Sequence, residues 1–552
     1  MTHGDGSSRM LLACFLLAFL ISALFLSWEL VDHDYEAEYL ALGNLVVRGE
    51  LNLYQDEVTG QWVPLPFWVY GLSQLVMGPS LLAGRLLSIV FGLGVVALIF
   101  MLARRWGGTA AAAVACGLFC TNGLIMGYFA TVHFSSLVAL LLLAGIYVLF
   151  CTEWQRRELT AMAVFSVLFL VKPHYWPTIP FVLVFLLWRA RSGRERVTLT
   201  VAGLAVPVLF FAWDVRHLKM LAYMPIVKDW VAPLGYFSWH TLVEDPERLW
   251  VSDYADIFYQ TGPVGRVVQI AKSFAFFLKR YLLWLVSLVA LGGLAALPAL
   301  RRRRLPAFGG PTGLRFTFWL FWYLLVWQFV AVGVYIKQAF AYVGAFTPLM
   351  AVVLGCFFSA VWEREETRRP LRLAAAALVA FVLVVSPWVH RSHYLPRTLP
   401  PGRAPVPALR HAAERLADVI PPGETRIFAL ANPLPIHLAG RRPYLRQFHQ
   451  YYMVFTSARD PARYARAGMW GATEVEHWLG VDARYAIIEP KVLRFYGERT
   501  PYRELVGRVE ALIAERFRLV ETVKGYGDDA YRVYARRAAT ARSHERGKET
   551  GT

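Results

Sequence analysis

Asp32, Asp34, Glu36 and Glu38 alternate with His33, Tyr35 and Ala37 directly after an apolar run that ends near residue 30. In a helix, Asp34 and Glu38 share one face, and Asp32 and Glu36 form the neighbouring pair. Carboxylates so placed can serve as a general base, as metal ligands or as a cation site. They equally suit a solvated helix start, where the macrodipole favours acids. A complementary set of cations stands at the ends of other apolar runs: Arg85, Lys172 with His174 beside it, and Lys337 between Tyr335 and Tyr342. A cation at a hydrocarbon boundary is costly unless it snorkels or is paired. Together these cations suit a phosphate or pyrophosphate group. His133, next to Phe134-Ser135-Ser136, reads first as an interfacial histidine and second as a catalyst. Trp62, Trp68, Trp176 and Trp239 suit an interfacial aromatic belt, with sugar stacking as the other use of such rings. No phosphate-binding glycine loop, dinucleotide fingerprint, zinc H-E-x-x-H or nucleophile elbow occurs in a fitting context.

The elements that must hold these residues are set by hydropathy. Of 552 residues 57% are hydrophobic and only 17% charged, a balance that a soluble chain of this size could not bury. The mean hydropathy is +0.42. Apolar runs long enough to cross a bilayer fall at 10–30, 80–103, 109–128, 131–151, 159–172, 175–190, 197–213, 274–298, 314–334, 341–361 and 373–390, about eleven spans. The fifth and sixth are short and joined through Lys172-Pro173-His174, which reads as a hairpin or broken helix. The run from Met10 to Trp28 is long for a signal peptide and is read as an uncleaved first span. With the N-terminus in the cytoplasm, every cytoplasmic connection is basic: Arg104-Arg105, Arg156-Arg157, Arg189 to Arg196, Arg301 to Arg304 and Arg364 to Arg372. The first outside loop is acidic. Arg85, Lys172, Lys337 and the carboxylates then share the outer side of the membrane.

Residues 31–79 and 214–273 form large outside loops, rich in aromatic residues and therefore expected to be ordered and functional. Residues 391–407 read as a Pro-rich linker, 408–537 as a soluble α/β domain on the outer side, and 538–552 as a frayed tail. The domain's expected elements are a helix near 406–419, strands near 425–430 and 485–488, a helix near 502–516, and strands near 517–524 and 530–534. The five cysteines all lie in or beside apolar runs, so the soluble domain has no disulfide framework, and no zinc set accompanies Cys116 and Cys120. The net charge of +18 invites a nucleic-acid reading, but much of it sits in the Arg clusters between spans and no nucleic-acid motif accompanies it.

Several stretches carry a resemblance. Asp34-Tyr35-Glu36-Ala37-Glu38-Tyr39-Leu40, continuing to Gly49, resembles the first-loop acidic motif of the C-type (GT-C) membrane glycosyltransferase superfamily, in particular the bacterial protein O-mannosyltransferase and aminoarabinose transferase-like proteins. Pro64-Leu65-Pro66-Phe67-Trp68-Val69-Tyr70 resembles that group's proline turn, Gly84-Arg85-Leu86-Leu87-Ser88 the start of its second long span, Val171-Lys172-Pro173 its lysine motif, and Tyr335-Ile336-Lys337 through Tyr342 to Pro348 its later lysine–tyrosine motif. The sequence departs from the pattern where Tyr35 separates the first two acids, where Leu65 parts the prolines, and where His133 stands in place of an early aspartate of the fourth span.

The resemblance implies a polytopic helical bundle with a C-terminal α/β domain in the bacterial inner membrane. It implies transfer of a sugar from a polyprenyl-phosphate donor to a lipid, glycan or protein acceptor at the outer face, with inversion. In that scheme Asp34 is the general base, Glu36 assists, and Arg85, Lys172, Lys337 and Tyr342 hold the donor phosphate. His174, His133 and Trp62 are then possible substrate contacts. No cofactor is required, although a divalent cation would fit the carboxylates. A transporter or flippase of a lipid-linked sugar is the alternative; it would ordinarily show internal repeats and charges at mid-membrane, and the sequence shows neither. A membrane anchor carrying a binding module would not need paired acids and bases at the membrane edge.

Overall fold

Apolar segments in a bilayer must satisfy their backbone groups internally, so they form helices. A computed structural model of the chain describes residues 4–30, 36–53, 56, 63–217, 263–301, 311–329, 342–363, 367, 369–389, 405–448, 470–498, 502–525 and 530–537. Asp34, Trp62, Lys337 and most of the 214–273 loop lie outside the described residues. The chain divides into two compact units, residues 1–399 with 462–468 and residues 400–461 with 469–552.

The described part of the first unit is helical throughout. Helix α1, Gly4–Glu29, has 26 residues and so a length of about 39 Å, enough for the hydrocarbon core. Helix α2, Glu38–Val47, opens with a widened π turn over Glu38–Leu42. Helix α3, Leu65–Met77, crosses α2 at two glycines: a Cβ on Gly43 or on Gly71 would collide with the other helix's backbone.

Helix α4, Leu81–Thr121, has 41 residues and would be about 60 Å long if straight, twice a bilayer core. It is not straight. Gly108 adopts φ 77°, a conformation that favours glycine, and Cys116 Sγ donates to the carbonyl of Val96 at 3.7 Å. Two residues that far apart in sequence meet only if the halves run back alongside each other. The spans expected at 80–103 and 109–128 are thus the two arms of one hairpin. The second arm stops at Thr121 rather than 128, because the Asn122 side chain caps a separate short helix α5, Gly123–Ala130, by accepting from Ile125 N at 3.3 Å.

Helices α6 (Phe134–Cys151), α7 (Arg157–Val167), α8 (Thr178–Arg189), α9 (Gly193–His217), α10 (Pro263–Arg301), α11 (Thr312–Trp327), α12 (Thr347–Trp362) and α13 (Arg369–Val389) account for the remaining expected spans. Between α7 and α8 the chain tightens into 3-10 turns at Leu168–Leu170 and Pro173–Tyr175, as Pro173 and Pro177 require. The Trp176 indole N–H donates to Phe169 O at 2.9 Å and the two rings stack at 4.0 Å, which closes this hairpin. Helix α12 is buried on all sides except at Ala360 and Trp362, the pattern of a central helix. It lies against the second arm of α4, where Gly355 admits the backbone of Ala111, and Ser359 Oγ donates to Gly107 O at 2.6 Å. Peripheral helices instead expose large apolar side chains such as Phe25, Trp188, Leu209, Val289 and Val384, which suit lipid.

The second unit begins with α14, Val406–Val419, and contains β1 (Ile427–Leu430), β2 (Tyr485–Ile488), helix α15 (Arg503–Arg516), β3 (Phe517–Lys524) and β4 (Ala530–Arg536). The sheet order is β1-β2-β4-β3, with β1 parallel to β2 and β4 antiparallel to both β2 and β3. Leu416, Ile427, Ile436, Ile487 and Val533 form its core. The fold is therefore the expected α-helical bundle followed by a small α/β domain.

Candidate active site

The site is built where α2, the starts of α4, α6 and α12, and the α7–α8 turn come together. The start of α4 is fixed first. Ser80 Oγ accepts from Ala83 N at 3.2 Å, and the Gln74 amide brackets Ser80 with bonds of 2.9 and 2.8 Å to its carbonyl and N–H. This joins α3 to α4 and places Arg85 one turn in.

Arg85 and Glu36 then meet in a two-pronged ion pair: Nε donates to Oε1 at 2.8 Å and Nη2 to Oε2 at 2.6 Å. Both side chains are 0% exposed. Arg85 Nη1 also donates to the carbonyls of Ser27 and Leu30 at 2.8 and 3.3 Å, at the C-terminal end of α1. Glu36 Oε1 accepts a further bond from Val132 N at 2.8 Å. The pair thus ties α1, the first loop, α4 and the entry to α6 together. The resemblance implies Arg85 at the donor phosphate and Glu36 beside the base; in the structure the two are fully buried and bonded to each other, a contact that clasps these segments, and a guanidinium held this way does not turn outward without leaving a buried carboxylate behind.

A hydroxyl network lies beside the clasp. Tyr70 OH donates to His133 O at 2.9 Å and lies 2.8 Å from Ser88 Oγ and 3.4 Å from Ser136 Oγ. Tyr39 stacks on Tyr70 with ring centres 5.9 Å apart and meets Phe67 edge-on at 5.2 Å. His133 acts as the cap of α6: its Nδ1 accepts from Ser135 N at 3.2 Å, and its ring packs between Tyr128 and Phe134 at 4.8 and 4.0 Å. An acceptor Nδ1 puts the ring proton of neutral His133 on Nε2.

Beyond Phe134 lies a cationic aromatic cage. The Lys172 ammonium sits 5.1 Å from the centre of the Phe134 ring, and Lys172 is only 4% exposed. Phe134 stacks on Tyr342 at 5.6 Å, and His174 stacks on the same tyrosine at 4.2 Å with planes 7° apart. Tyr175 OH donates to Tyr342 O at 2.7 Å, and Gln328 Nε2 donates to His174 O at 3.1 Å. Tyr39 lies near Tyr175 and Tyr342, so the first-loop helix borders the cage. Arg280 of α10, half-buried, stands in the same relation to Tyr128 and Tyr281. Among the described residues, no three His, Cys, Asp or Glu side chains are grouped to hold a metal.

Of the residues singled out in the sequence, the structure brings together Lys172, His174 and Tyr342 with His133's neighbour Phe134. Asp34, Lys337 and Trp62 lie outside the described residues. Tyr39 and Tyr70 stand in the quoted motifs but were not named as site residues, and Tyr175, Gln328 and Arg280 were not anticipated. Of these three Arg280 carried a legible signal, a cation inside an apolar span, where charge is expensive.

Residues 62–213, which include Arg85, His133, Lys172 and His174, match the family model of the dolichyl-phosphate-mannose-protein mannosyltransferases. Two solved structures share the architecture. ArnT from Cupriavidus metallidurans, bound to undecaprenyl phosphate, aligns at 14% identity and TM-score 0.53, over 97% of this chain and 99% of its own. The Archaeoglobus fulgidus oligosaccharyltransferase, tethered to an acceptor peptide, aligns at 12% identity and TM-score 0.52, over 96% of this chain and 74% of its own. The chain has the GT-C glycosyltransferase fold. In this chain the start of α6, the α7–α8 turn and the residues just before α12 supply the cage. No curated protein matches the sequence.

Proposed function

We propose that this GT-C chain is an inverting glycosyltransferase that moves a sugar from a polyprenyl-phosphate donor to an acceptor at the outer face of the bacterial inner membrane. The observation that carries the reading is Lys172, a lysine held almost fully buried among Phe134, His174 and Tyr342 at a helix-breaking turn. An ammonium group bordered by stacked aromatic rings at a helix-breaking turn suits the phosphate of a lipid-linked donor. The family match over residues 62–213 and the undecaprenyl phosphate bound to ArnT support that choice.

Lys172, with Lys337 and Tyr342, would neutralise the phosphate as the sugar–oxygen bond breaks. Arg85 is committed to Glu36, so Arg280, near Tyr128 and Tyr281, is the guanidinium beside the cage in this scheme. Asp34 would remove the acceptor's proton, and a single displacement on the opposite face would invert the anomeric centre. The Glu36–Arg85 clasp anchors the segment that begins two residues after Asp34. His174 and Trp62 would border the sugar and acceptor. In this scheme the N-terminus is cytoplasmic and the second unit lies on the outer side, in keeping with the basic connections.

The test is sugar transfer by purified protein in nanodiscs, using radiolabelled polyprenyl-phosphate sugars and a membrane extract as acceptor source. Asp34→Asn should reduce transfer by about 10²–10⁴ while donor binding persists. Transfer equal to wild type would remove Asp34 from the mechanism. Donor crossing the bilayer without transfer would replace the reading with a flippase.

A further inference from the structure

The second unit carries a cleft of about 740 Å³ at one end of its sheet. Because β1 and β2 are parallel and β4 runs against β2, the starts of β1 and β2 and the end of β4 meet at that end. The lining takes Glu424 and Arg426 from the turn ahead of β1, Arg484 from the start of β2, and Arg536 and Arg537 from the end of β4. Arg536 belongs to the wall. Its Nε donates to Ala483 O at 2.6 Å, its Nη2 to Leu479 O at 2.9 Å, and its guanidinium lies 4.9 Å from the centre of the Phe517 ring. Glu424 is folded down, accepting from Thr425 N at 3.1 Å and Arg426 N at 2.9 Å, with its side chain 10% exposed. From there it stands 3.6 Å from Arg426 Nε and 3.7 Å from Arg484 Nη1 and so brackets the two guanidinium groups. Those side chains are 40% and 61% exposed. Asp482, a nearby acid outside the lining, accepts the Tyr444 hydroxyl at 2.7 Å.

Four arginines against one carboxylate leave this concave surface strongly positive. Arg537 is held in the wall like Arg536, its Nε donating to Phe517 O at 3.0 Å, so Arg426 and Arg484, from two separate segments, are the guanidinium groups open to the hollow. We propose that the cleft binds a phosphate monoester group. A carboxylate brings a single charge, while a phosphate monoester brings nearly two and three acceptor oxygens, which answers the excess of forked donors. The inference concerns the second unit alone and does not depend on the donor site in the membrane unit.

The test uses the full-length Lys172→Ala protein in phosphatidylcholine nanodiscs, so that the membrane site does not report. Inorganic phosphate is titrated calorimetrically at low salt, where charge-assisted binding is least screened. Arg426→Ala with Arg484→Ala should weaken binding at least ten-fold, and the corresponding double Lys variant should retain part of it. In the chain without arginine substitutions, phosphate should also protect Arg426 and Arg484 from phenylglyoxal, read by mass spectrometry. Discs containing phosphatidic acid distinguish the source. A headgroup ligand would protect both arginines without added phosphate, whereas a phosphate carried on a soluble or acceptor molecule would leave them reactive. Equal phosphate affinity after the double alanine substitution, or no protection by phosphate, overturns the proposal.

Discussion

Glu36 and Arg85 show how much a single contact decides. Each is costly to bury alone, and together they are saturated by each other and by three backbone groups. Arg85→Ala leaves the carboxylate buried and unmatched, and a loss of about 3–5 kcal/mol is expected, read as a lower unfolding temperature in detergent. Arg85→Lys should rescue little, since an ammonium cannot fill the two-pronged geometry. A residue that only touched phosphate would give the opposite result, with stability kept and donor affinity lost. His437 offers a second test at this scale. Burial in the second unit pushes its imidazole down to about 4 from an ordinary value of 6.5. Between those values the unfolded chain takes up a proton that the folded chain refuses. Stability is therefore full above pH 6.5, falls as the pH drops toward 4 and then levels, by about 3 kcal/mol in all. Hydrogen exchange of the β1 segment in the full chain, corrected for intrinsic rates, should show this slope, and His437→Leu should flatten it.

At the scale of elements, close approach of backbones positions the site. Helices α2 and α3 touch at Gly43 and Gly71, and the obstacle to any added side chain is backbone, which cannot step aside. Gly71→Ala should cost about 1–3 kcal/mol of stability and should reduce transfer beyond that, because α2 follows directly on the segment that carries Asp34. Thermal unfolding and transfer rates measured on the same preparation separate the two effects. The α7–α8 turn depends on the Trp176–Phe169 pair. Trp176→Ala should loosen Lys172 and raise the donor concentration needed for half-maximal transfer, with the helix content unchanged by circular dichroism.

At the scale of the whole molecule, the charge rule and the structure agree on which loops belong together. The orientation drawn from basic connections put the first loop, Arg85, Lys172 and the Tyr342 region on one side. The structure joins Glu36 to Arg85, and Lys172 and His174 to the Phe134–Tyr342 stack. The spans were legible because roughly twenty apolar residues have few other uses. The strands of the second unit were legible because short β-branched runs sit between helices with polar faces. The end of the third span was not, because Asn122 stops a helix only through a side-chain bond that hydropathy does not register. Nor was the inward turn of Arg85, since a cation at a membrane edge looks the same in sequence whether it faces phosphate or a buried carboxylate.

The sequence by itself marked the apolar helices and their order, the change to an α/β domain, and the segments in which acids and bases cluster. These follow from hydropathy and charge, which act residue by residue along the chain. Only the tertiary structure decided which charges are consumed by one another and which border the aromatic cage. That choice depends on distances between segments far apart in sequence, here Glu36 to Arg85 and His174 to Tyr342, and on the backbone contacts that set them.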